Sequence, residues 1–326
     1  MTMNNPIPIN KLIGDAKTIG IAGHIRPDGD CIGSCMTLYN YIEKNFPDIQ
    51  VKVYLEKIKD KFLFIKNSEK IDSNGYDGTE YDLFFSLDCA DLERLGLNKE
   101  FFEHAKRTAC IDHHISNVGY ADYNYILPNA SSACEVLYDL LDVSLFDKSI
   151  AEPMYTGIAH DSGVFRFQST TSKTMNVAGK MLDFGINANK ILEETYYKKT
   201  YAQSQVAGRL QLESVRFMDN RCIFAYATTK LMDFYGVTGS DLDGIVSQLR
   251  LTRGVEVAIF IYELETQSFK VSLRSNGRVD VSKVAVFFGG GGHTRAAGCD
   301  LQGSMYDVIN NITAEIEKQL TEEENA

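Results

Sequence analysis

Four short segments of the chain combine carboxylates and imidazoles in a way that suits metal chemistry. Residues 110–114 read Cys-Ile-Asp-His-His, an apolar run that ends in three metal-capable side chains. The segments HIRPDGD (24–30), DLFFSLDCAD (82–91) and GIAHDSG (157–163) carry further His and Asp residues. Charged groups that are buried without a partner or a metal cost several kcal/mol each. The pattern therefore predicts a metal cluster rather than ordinary packing.

Four of the six histidines lie in these segments, a fifth, His293, follows a tetraglycine, and only His104 lies outside any such motif. The candidate ligands are two imidazoles and four carboxylates: His24, Asp28, Asp30, Asp88, His113 and Asp161. Mixed nitrogen and oxygen ligands suit Mn²⁺ and, less well, Mg²⁺. A carboxylate at Asp88, shared by two cations, would hold them roughly 3.5–4 Å apart, the spacing used for phosphoester hydrolysis. The expected chemistry is two-metal phosphoryl transfer to water.

Each of these segments also has a structural explanation. HIRPDGD is compatible with an Asp-Gly turn and a helix N-cap. Asp88 could instead cap a helix or pair with Arg94. Asp161 could be a cap in a turn bounded by glycines. Two neighbours are interpreted as lesser groups: Asp91 as a cap or supporting group, and His160 as a bystander.

Asp112, His113 and His114 cannot all point the same way if the strand continues, because successive side chains alternate faces. One histidine should therefore bind metal while the other faces the reacting group. Asp112 could orient an imidazole by hydrogen bonding.

A tetraglycine followed by His293 forms a second candidate binding element. Gly289 to Gly292 could present successive backbone N–H groups to a phosphate, although a flexible hinge is the alternative. The segment is not a G-x-x-x-x-G-K-[ST] loop, so nothing indicates ATP hydrolysis. Arg274, at the end of a predicted strand, is suited to pair with a phosphate or carboxylate.

The elements that must position these residues follow an α/β pattern. Apolar runs alternate with helical patterns over the first ~190 residues, which predicts βαβ units and a parallel sheet. The predicted strands there are 18–23, 50–55, 81–88 and 107–112, and the predicted helices are 31–46 and 131–141, the second capped by Asn129 or Ser131. Ligands bind at the carboxyl ends of strands in such sheets, and three of the motifs lie at such ends.

The chain is expected to have two α/β domains: 1–190 with the metal site, 191–215 as a helical connector, and 216–326 as a smaller substrate-binding domain. The second is predicted to contain strands at 221–227, 255–262 and 268–273, helices near 230–234 and 240–251, and a last helix at 306–319. At 326 residues, the chain is longer than a domain with a single hydrophobic core usually is.

The charge and residue composition of the chain disfavour several classes of function. The net charge of −11 disfavours long nucleic acid, which requires many phosphate contacts. The apolar stretches are too short for a membrane span, and the N-terminus lacks a signal-peptide pattern. Seven scattered cysteines without a C-x-x-C favour reduced thiols in a cytoplasmic protein over a thiolate zinc site.

The ordered set HIRPDGD, SLDCAD, DHH and GIAHDSG resembles the four N-terminal motifs of the DHH phosphoesterase superfamily. LRS followed by GGGGHTRAAG resembles the DHH-associated domain of its branch that degrades nanoRNA and dephosphorylates 3′-phosphoadenosine 5′-phosphate (pAp). The likeness covers nearly the whole chain. Ser162 replaces a common threonine, Arg295 falls at a variable position, and the Ser-Arg-Lys-Lys signature of family II pyrophosphatases is not found.

The resemblance implies one Mn²⁺ on His24, Asp28 and Asp88, and a second on Asp30, Asp88, His113 and Asp161, with Mg²⁺ or Co²⁺ as substitutes. It implies that Asp88, Asp112 and His114 serve catalysis, with His114 at the scissile phosphate. Substrate would be held across an interdomain cleft by residues of the second domain: Arg274, Ser275, Gly290, Gly291, Gly292 and His293.

The function expected from the residues and the resemblance is hydrolysis of short oligoribonucleotides and pAp. Three alternatives stay open: a phosphodiesterase for linear dinucleotides from cyclic-di-AMP breakdown, a single-strand DNA exonuclease, and a regulatory module that binds nucleotides without hydrolysing them. Cleavage polarity and preferred substrate length are open as well. Related proteins are often dimers, so a homodimer is a further alternative.

Overall fold

The computed structural model describes residues 6–324 of the protein. The chain divides into two compact units, residues 1–198 and residues 199–326. The predicted connector, residues 191–215, is therefore shared between the units. Helix α8 (Tyr201–Leu212) belongs to the second unit, where it buries Val206 and Leu210 in a core cluster.

The first unit is built on a six-stranded sheet in which every neighbouring pair of strands is parallel. The strands are β1 Thr18–Ala22, β2 Gln50–Tyr54, β3 Ile71–Asp72, β4 Leu83–Leu87, β5 Thr108–Asp112 and β6 Tyr123–Ile126. Their spatial order is β3-β2-β1-β4-β5-β6. The four predicted strands are confirmed, whereas β3 and β6 were not predicted because one has two residues and the other, Tyr-Asn-Tyr-Ile, lacks an unbroken apolar run.

Strands β1 and β4 lie side by side although two strands separate them in sequence, so the order reverses between them. Such a switch point opens a crevice at the carboxyl ends of the two strands. β4 is buried along its whole length, as expected for a central parallel strand covered on both faces. An aromatic cluster that includes Tyr54, Phe84 and Phe101 covers one face of the sheet.

Helices complete the first unit, and the one at Lys99–Glu103 contributes Phe101 to the aromatic cluster. The helices of this unit are α1 Ile9–Ile13, α2 Gly29–Asn45, α3 Lys99–Glu103, α4 Ala133–Tyr138, α5 Lys148–Asp161, α6 Ser172–Leu182 and α7 Ala188–Leu192, the last continued by a π-helical turn, Glu193–Tyr197. The predicted helix 31–46 is confirmed as α2. The predicted helix 131–141 is shorter, and Ser132 rather than Asn129 or Ser131 caps it by accepting the Glu135 N–H.

The segment GIAHDSG was expected to form a turn bounded by glycines, and this prediction was wrong. Its first five residues form the last part of α5, which Asp161 ends. The glycine at position 157 serves packing instead, since a Cβ there would lie 2.3 Å from Cys134 Sγ and 2.7 Å from Asp30 Oδ1.

The second unit contains a mixed six-stranded sheet in the order β11-β12-β10-β9-β8-β7. Its strands are β7 Val215–Phe217, β8 Cys222–Ala227, β9 Val257–Glu265, β10 Ser268–Ser275, β11 Gly291–His293 and β12 Ala296–Gln302. Its further helices are α9 Thr229–Tyr235, α10 Ile245–Arg250, α11 Val281–Phe287 and α12 Met305–Glu324. The three predicted strands are confirmed as β8, β9 and β10, while β7, β11 and β12 were not predicted.

Within residues 6–324, none of the helices combines the length and the apolar character that crossing a membrane requires. All seven cysteines are buried and unpaired.

Candidate active site

The candidate ligands of the first unit come from three adjacent strand ends and two helix ends. His24 follows β1, Asp88 follows β4, and His113 follows β5. Asp30 lies in the first turn of α2, and Asp161 is the last residue of α5. Because β1, β4 and β5 are neighbours in a parallel sheet, their carboxyl ends meet at one edge, and α2 and α5 pack together there.

Asp88 lies at the centre of this group. Its Oδ2 atom is 3.5 Å from His24 Nε2, and its Oδ1 atom is 3.4 Å from His113 Nε2. The side chain is almost fully buried, and within residues 6–324 no group donates a hydrogen bond to Oδ1. The backbone of Asp88 has φ 52°, which is rare for a residue with a side chain and is typical of functional sites. A buried carboxylate with one oxygen toward each imidazole fits a ligand shared by two cations.

His24, Asp28 and Asp88 surround the first candidate position. His24 Nε2 is 3.8 Å from Asp28 Oδ1. The His24 Nδ1 atom lies 2.8 Å from the carbonyl oxygen of Ile25, so an Nδ1–H that donates there would leave Nε2 available to a metal. Asp28 also caps α2 by accepting the N–H groups of Asp30 and Cys31 through Oδ1. The capping explanation and the ligand explanation are therefore compatible.

Asp30, Asp88, His113 and Asp161 surround the second candidate position. His113 Nε2 lies 3.4 Å from Asp161 Oδ2 and 3.9 Å from Asp30 Oδ2. Ligand atoms of Asp30, His113 and Asp161 all lie within 4.8 Å of one another. The structure thus brings together all six residues that the sequence singled out.

The charges of this group are unbalanced without a cation. Burial, together with the nearby carboxylates of Asp88 and Asp161, raises the pKa of Asp30 well above its usual range. Burial also raises the pKa of Asp161 to about 7, although His113 opposes this rise. Burial lowers the pKa of His113, but the neighbouring carboxylates outweigh it and the net pKa is raised. Divalent cations would stabilise these carboxylates in their charged form, so the residues present fit the metal that the sequence predicts.

His114 is oriented by a chain of hydrogen bonds rather than placed among the ligands. Its Nδ1 atom lies 2.8 Å from Asp112 Oδ1, and Asn117 Nδ2 donates to Asp112 Oδ2 at 2.7 Å. Burial lowers the pKa of His114, but Asp112 outweighs that effect, and the net pKa is raised. When Nδ1 donates to Asp112 and the ring is protonated, which the raised pKa of His114 favours, its Nε2–H can donate to a substrate.

Sequence reasoning missed two features of this site. One is Cys31 on α2, whose buried sulfur lies within 4.8 Å of ligand atoms of His24 and Asp88. The other is the segment 130–134, made of the turn before α4 and the first two residues of that helix, which contacts Asp30 and His113 through its backbone. Backbone contacts leave no residue-type signal, so no sequence pattern could have indicated the turn. His160, interpreted as a bystander, forms a hydrogen-bond contact of 2.8 Å between its Nε2 and Thr195 Oγ1.

The candidate substrate residues lie at one end of the second sheet. Arg274 is near the end of β10, paired with Ala296 of β12, and His293 is an exposed residue at the end of β11. Ser275 is fully buried, and its hydroxyl donates to Glu256 Oε1 at 3.2 Å and accepts the Gly277 N–H. This position favours a structural role for Ser275 over the expected contact with substrate.

The tetraglycine does not form a hinge within the described chain, because Gly291 and Gly292 belong to β11. The N–H groups of Gly289 and Gly290 donate to carbonyls of α11, so they are already engaged and the predicted role of Gly290 as a phosphate donor is not supported. A Cβ at Gly292, where φ is +141°, would lie 2.5 Å from the Ala296 carbonyl oxygen. Close packing of this hairpin therefore requires glycine there.

The doubly wound sheet and a cluster of His and Asp residues at its switch point are those of a DHH phosphoesterase. The model of the DHH family, N-terminal domain, matches residues 18–158, and that of the DHHA1 domain matches residues 221–322. The chain belongs to the DHH family and is a hydrolase of phosphate esters. Hydrolysis in this family is metal-dependent.

Several known proteins are similar to this chain over most of its length. The bifunctional oligoribonuclease and PAP phosphatase NrnA of Thermus thermophilus is 28% identical over 93% of this chain and 90% of its own. The Bacillus subtilis protein of the same name is 25% identical over 94% and 96%. A crystal structure of an exopolyphosphatase-related protein from Bacteroides fragilis is 25% identical, with a TM-score of 0.87 over 95% of this chain and 94% of that one.

Proposed function

We propose that this protein is an Mn²⁺-dependent hydrolase that degrades very short RNA to mononucleotides and converts pAp to AMP. One observation carries the proposal: the two oxygens of the buried Asp88 lie 3.5 Å and 3.4 Å from the imidazoles of His24 and His113. A carboxylate between two ligand sets is what a two-metal site requires. The substrate class is supported by relatives that are named oligoribonucleases and PAP phosphatases.

The first cation would be held by His24, Asp28 and Asp88, and the second by Asp30, Asp88, His113 and Asp161. Bound cations supply an activated water at neutral pH and neutralise charge on the phosphoryl oxygens. Mixed imidazole and carboxylate donors favour Mn²⁺, with Mg²⁺ and Co²⁺ as substitutes.

His114 would donate a hydrogen bond from Nε2 to a phosphoryl oxygen. Asp112 holds that ring by its Nδ1 atom, 2.8 Å away, so the direction of the Nε2–H is fixed before the substrate arrives. A preorganised donor stabilises the charge that develops on the phosphoryl oxygens. Attack of water on phosphorus breaks the bond to the ribose oxygen, which takes a proton and leaves as a hydroxyl.

The second unit would supply substrate recognition. Arg274 is suited to bind a phosphate of the nucleotide because its guanidinium offers two parallel donors. His293 and the β11 segment at Gly291 and Gly292 would add donors. That these groups face the metal site across a cleft stays a prediction. Seven unpaired cysteines support a reducing compartment, and we propose the cytoplasm.

The direct test replaces Asp88 with alanine, which removes a ligand from both cation positions. Phosphate release from pAp in Mn²⁺ should fall below detection. Asp91→Asn is a matched control, because Asp91 is exposed and its side chain caps the 3₁₀ helix Leu92–Asn98 by accepting the Arg94 N–H. A folded Asp88→Ala protein with near wild-type turnover would overturn the assignment of Asp88.

A substrate panel separates the proposed function from the alternatives. pAp, a diribonucleotide, the linear dinucleotide pApA, a longer RNA and a single-stranded DNA would be digested side by side in Mn²⁺. We expect rapid turnover of pAp and the diribonucleotide and slow turnover of the long strands. Preference for pApA alone would favour the dinucleotide phosphodiesterase, and preference for long DNA the exonuclease. Calorimetric binding of nucleotides without hydrolysis would indicate a regulatory module.

A further inference from the structure

A buried turn, residues 130–134, which includes the first two residues of α4, contacts two of the candidate ligands. The N–H groups of Ala133 and Cys134 donate to the two carboxylate oxygens of Asp30, at 2.5 Å and 3.1 Å. The carbonyl oxygen of Ala130 lies 3.3 Å from His113 Nδ1. An Nδ1–H that donates there would leave Nε2 facing the carboxylates of the site. One short stretch of backbone therefore sets the position of both side chains.

Glu135 fixes the shape of this turn. Its carboxylate is almost fully buried, and Oε2 accepts hydrogen bonds from the hydroxyls of Ser131 and Thr174, each at 2.6 Å. The contact to Thr174 ties the turn to α6. The Glu135 N–H in turn donates to Ser132 Oγ at 3.0 Å, which closes the cap of α4. No described hydrogen bond or ion pair links Glu135 directly to a candidate ligand, so it could act only through the turn.

The other candidate position is supported by different groups. His24 is held by the carbonyl oxygen of Ile25, and Asp28 by the first N–H groups of α2. Neither residue has a described hydrogen bond to the turn. Loosening residues 130–134 should therefore affect Asp30 and His113 and leave His24 and Asp28 in place.

We propose that Glu135 is a positioning residue that preorganises one of the two cation positions, the one formed by Asp30, Asp88, His113 and Asp161. This inference rests on the two-metal site of the proposed function. It goes beyond that function because it states that Glu135 supports only one of the two cation positions. Loss of a group that orients metal ligands typically costs about 10- to 100-fold in metal affinity, and here the loss should fall on one ion only.

Three variants test this proposal by weakening the hydrogen bonds of Glu135 to different degrees. Glu135→Gln keeps an acceptor for Ser131 and Thr174, Ser131→Ala removes one hydrogen bond, and Glu135→Leu leaves both hydroxyls without their acceptor. Thr37→Val is the matched control, because Thr37 is fully buried on α2 and its hydroxyl has no hydrogen-bond partner among the residues that the structure describes. Mn²⁺ binding to the full chain would be measured by titration calorimetry, and magnetic coupling between paired ions by electron paramagnetic resonance.

Wild type and Thr37→Val should bind two Mn²⁺ ions with a coupled spectrum. Glu135→Leu should bind one ion with wild-type affinity and the other about 10- to 100-fold more weakly, with loss of the coupled signal. Ser131→Ala should show a smaller loss, and Glu135→Gln should retain most of the affinity. If Glu135→Leu fails to fold, Ser131→Ala decides the question.

Retention of both affinities in the folded Glu135→Leu and Ser131→Ala proteins, or an equal loss at both positions, would refute the role of Glu135. If wild type binds no Mn²⁺ at all, the proposed function fails instead. The two failures are therefore distinguishable.

Discussion

The polar residues at the end of β5 point in different directions and so have different roles. Asp112, the last residue of the strand, is fully buried and points its two oxygens at His114 and Asn117, whereas His113 turns its Nε2 toward the carboxylates. A carboxylate that accepts from one ring nitrogen fixes both the tautomer and the orientation of the imidazole. The chemistry of His114 should therefore depend on Asp112 although Asp112 itself is fully buried.

Asp112→Asn tests this dependence. The neutral amide no longer favours the protonated ring that donates from Nε2, so kcat on pAp should fall about 100-fold or more while KM changes little. Mn²⁺ stoichiometry, measured by calorimetry, should stay at the wild-type value because the proposed ligands are untouched. Wild-type kcat, or loss of bound metal in parallel with activity, would show that Asp112 has a different role.

At the scale of elements, the packing of α2 on α5 positions two ligands that are far apart in sequence. Asp30 begins α2 and Asp161 ends α5, and the helices approach closely where each has a glycine. A Cβ at Gly33 would lie 2.6 Å from the Pro153 carbonyl oxygen, and one at Gly157 would lie 2.7 Å from Asp30 Oδ1. The glycines thus set how near the two carboxylates can come.

Gly157→Ala should force α5 away from Asp30 and Cys134. We expect a loss of about 1–3 kcal/mol in the free energy of unfolding, as for other overpacked cores, together with weaker Mn²⁺ binding. Gly179→Ala on α6 is the control, since its Cβ would meet nothing within 4 Å and alanine should stabilise the helix by about 0.5–1 kcal/mol. Urea denaturation and calorimetry measure both quantities. Equal behaviour of the two variants would contradict the packing argument.

At the scale of the whole molecule, each unit has core clusters of its own, and the candidate ligands all belong to the first unit. Metal binding and nucleotide recognition are therefore assigned to different parts of the chain. This separation predicts that a mutation can change metal binding without changing nucleotide recognition, and the reverse.

Mn²⁺ should stabilise the first unit selectively. At a free concentration of 100 times its Kd, one bound ion adds about 2.7 kcal/mol to the stability of the unit that binds it. Hydrogen-exchange mass spectrometry should then show increased protection for peptides that cover β1, β4 and β5, and little change in those that cover β9 and β10. Increased protection confined to the second unit would place the metal elsewhere.

Arg274→Ala tests the assignment of nucleotide recognition to the second unit. Loss of a charged hydrogen bond of about 1.5–3 kcal/mol should raise KM for pAp about 10- to 100-fold, while Mn²⁺ affinity stays unchanged. Arg253→Ala, at an exposed position of the same unit, should leave KM unaffected. An unchanged KM for Arg274→Ala would remove this residue from the proposed substrate site.

The sequence alone determined the α/β class, the central strands and the six residues that come together, because buried apolar runs ending in His and Asp leave a strong local signal. Tertiary structure decided what local patterns cannot encode. Whether Gly157 turns the chain or lets two helices touch depends on what lies opposite it, and α2 and α4 lie there only in the folded protein. The support of Asp30 by backbone N–H groups some hundred residues away, and the burial of Ser275, likewise arise from long-range packing. Residue types name the groups that can react, but the distances between them are set by how the elements pack.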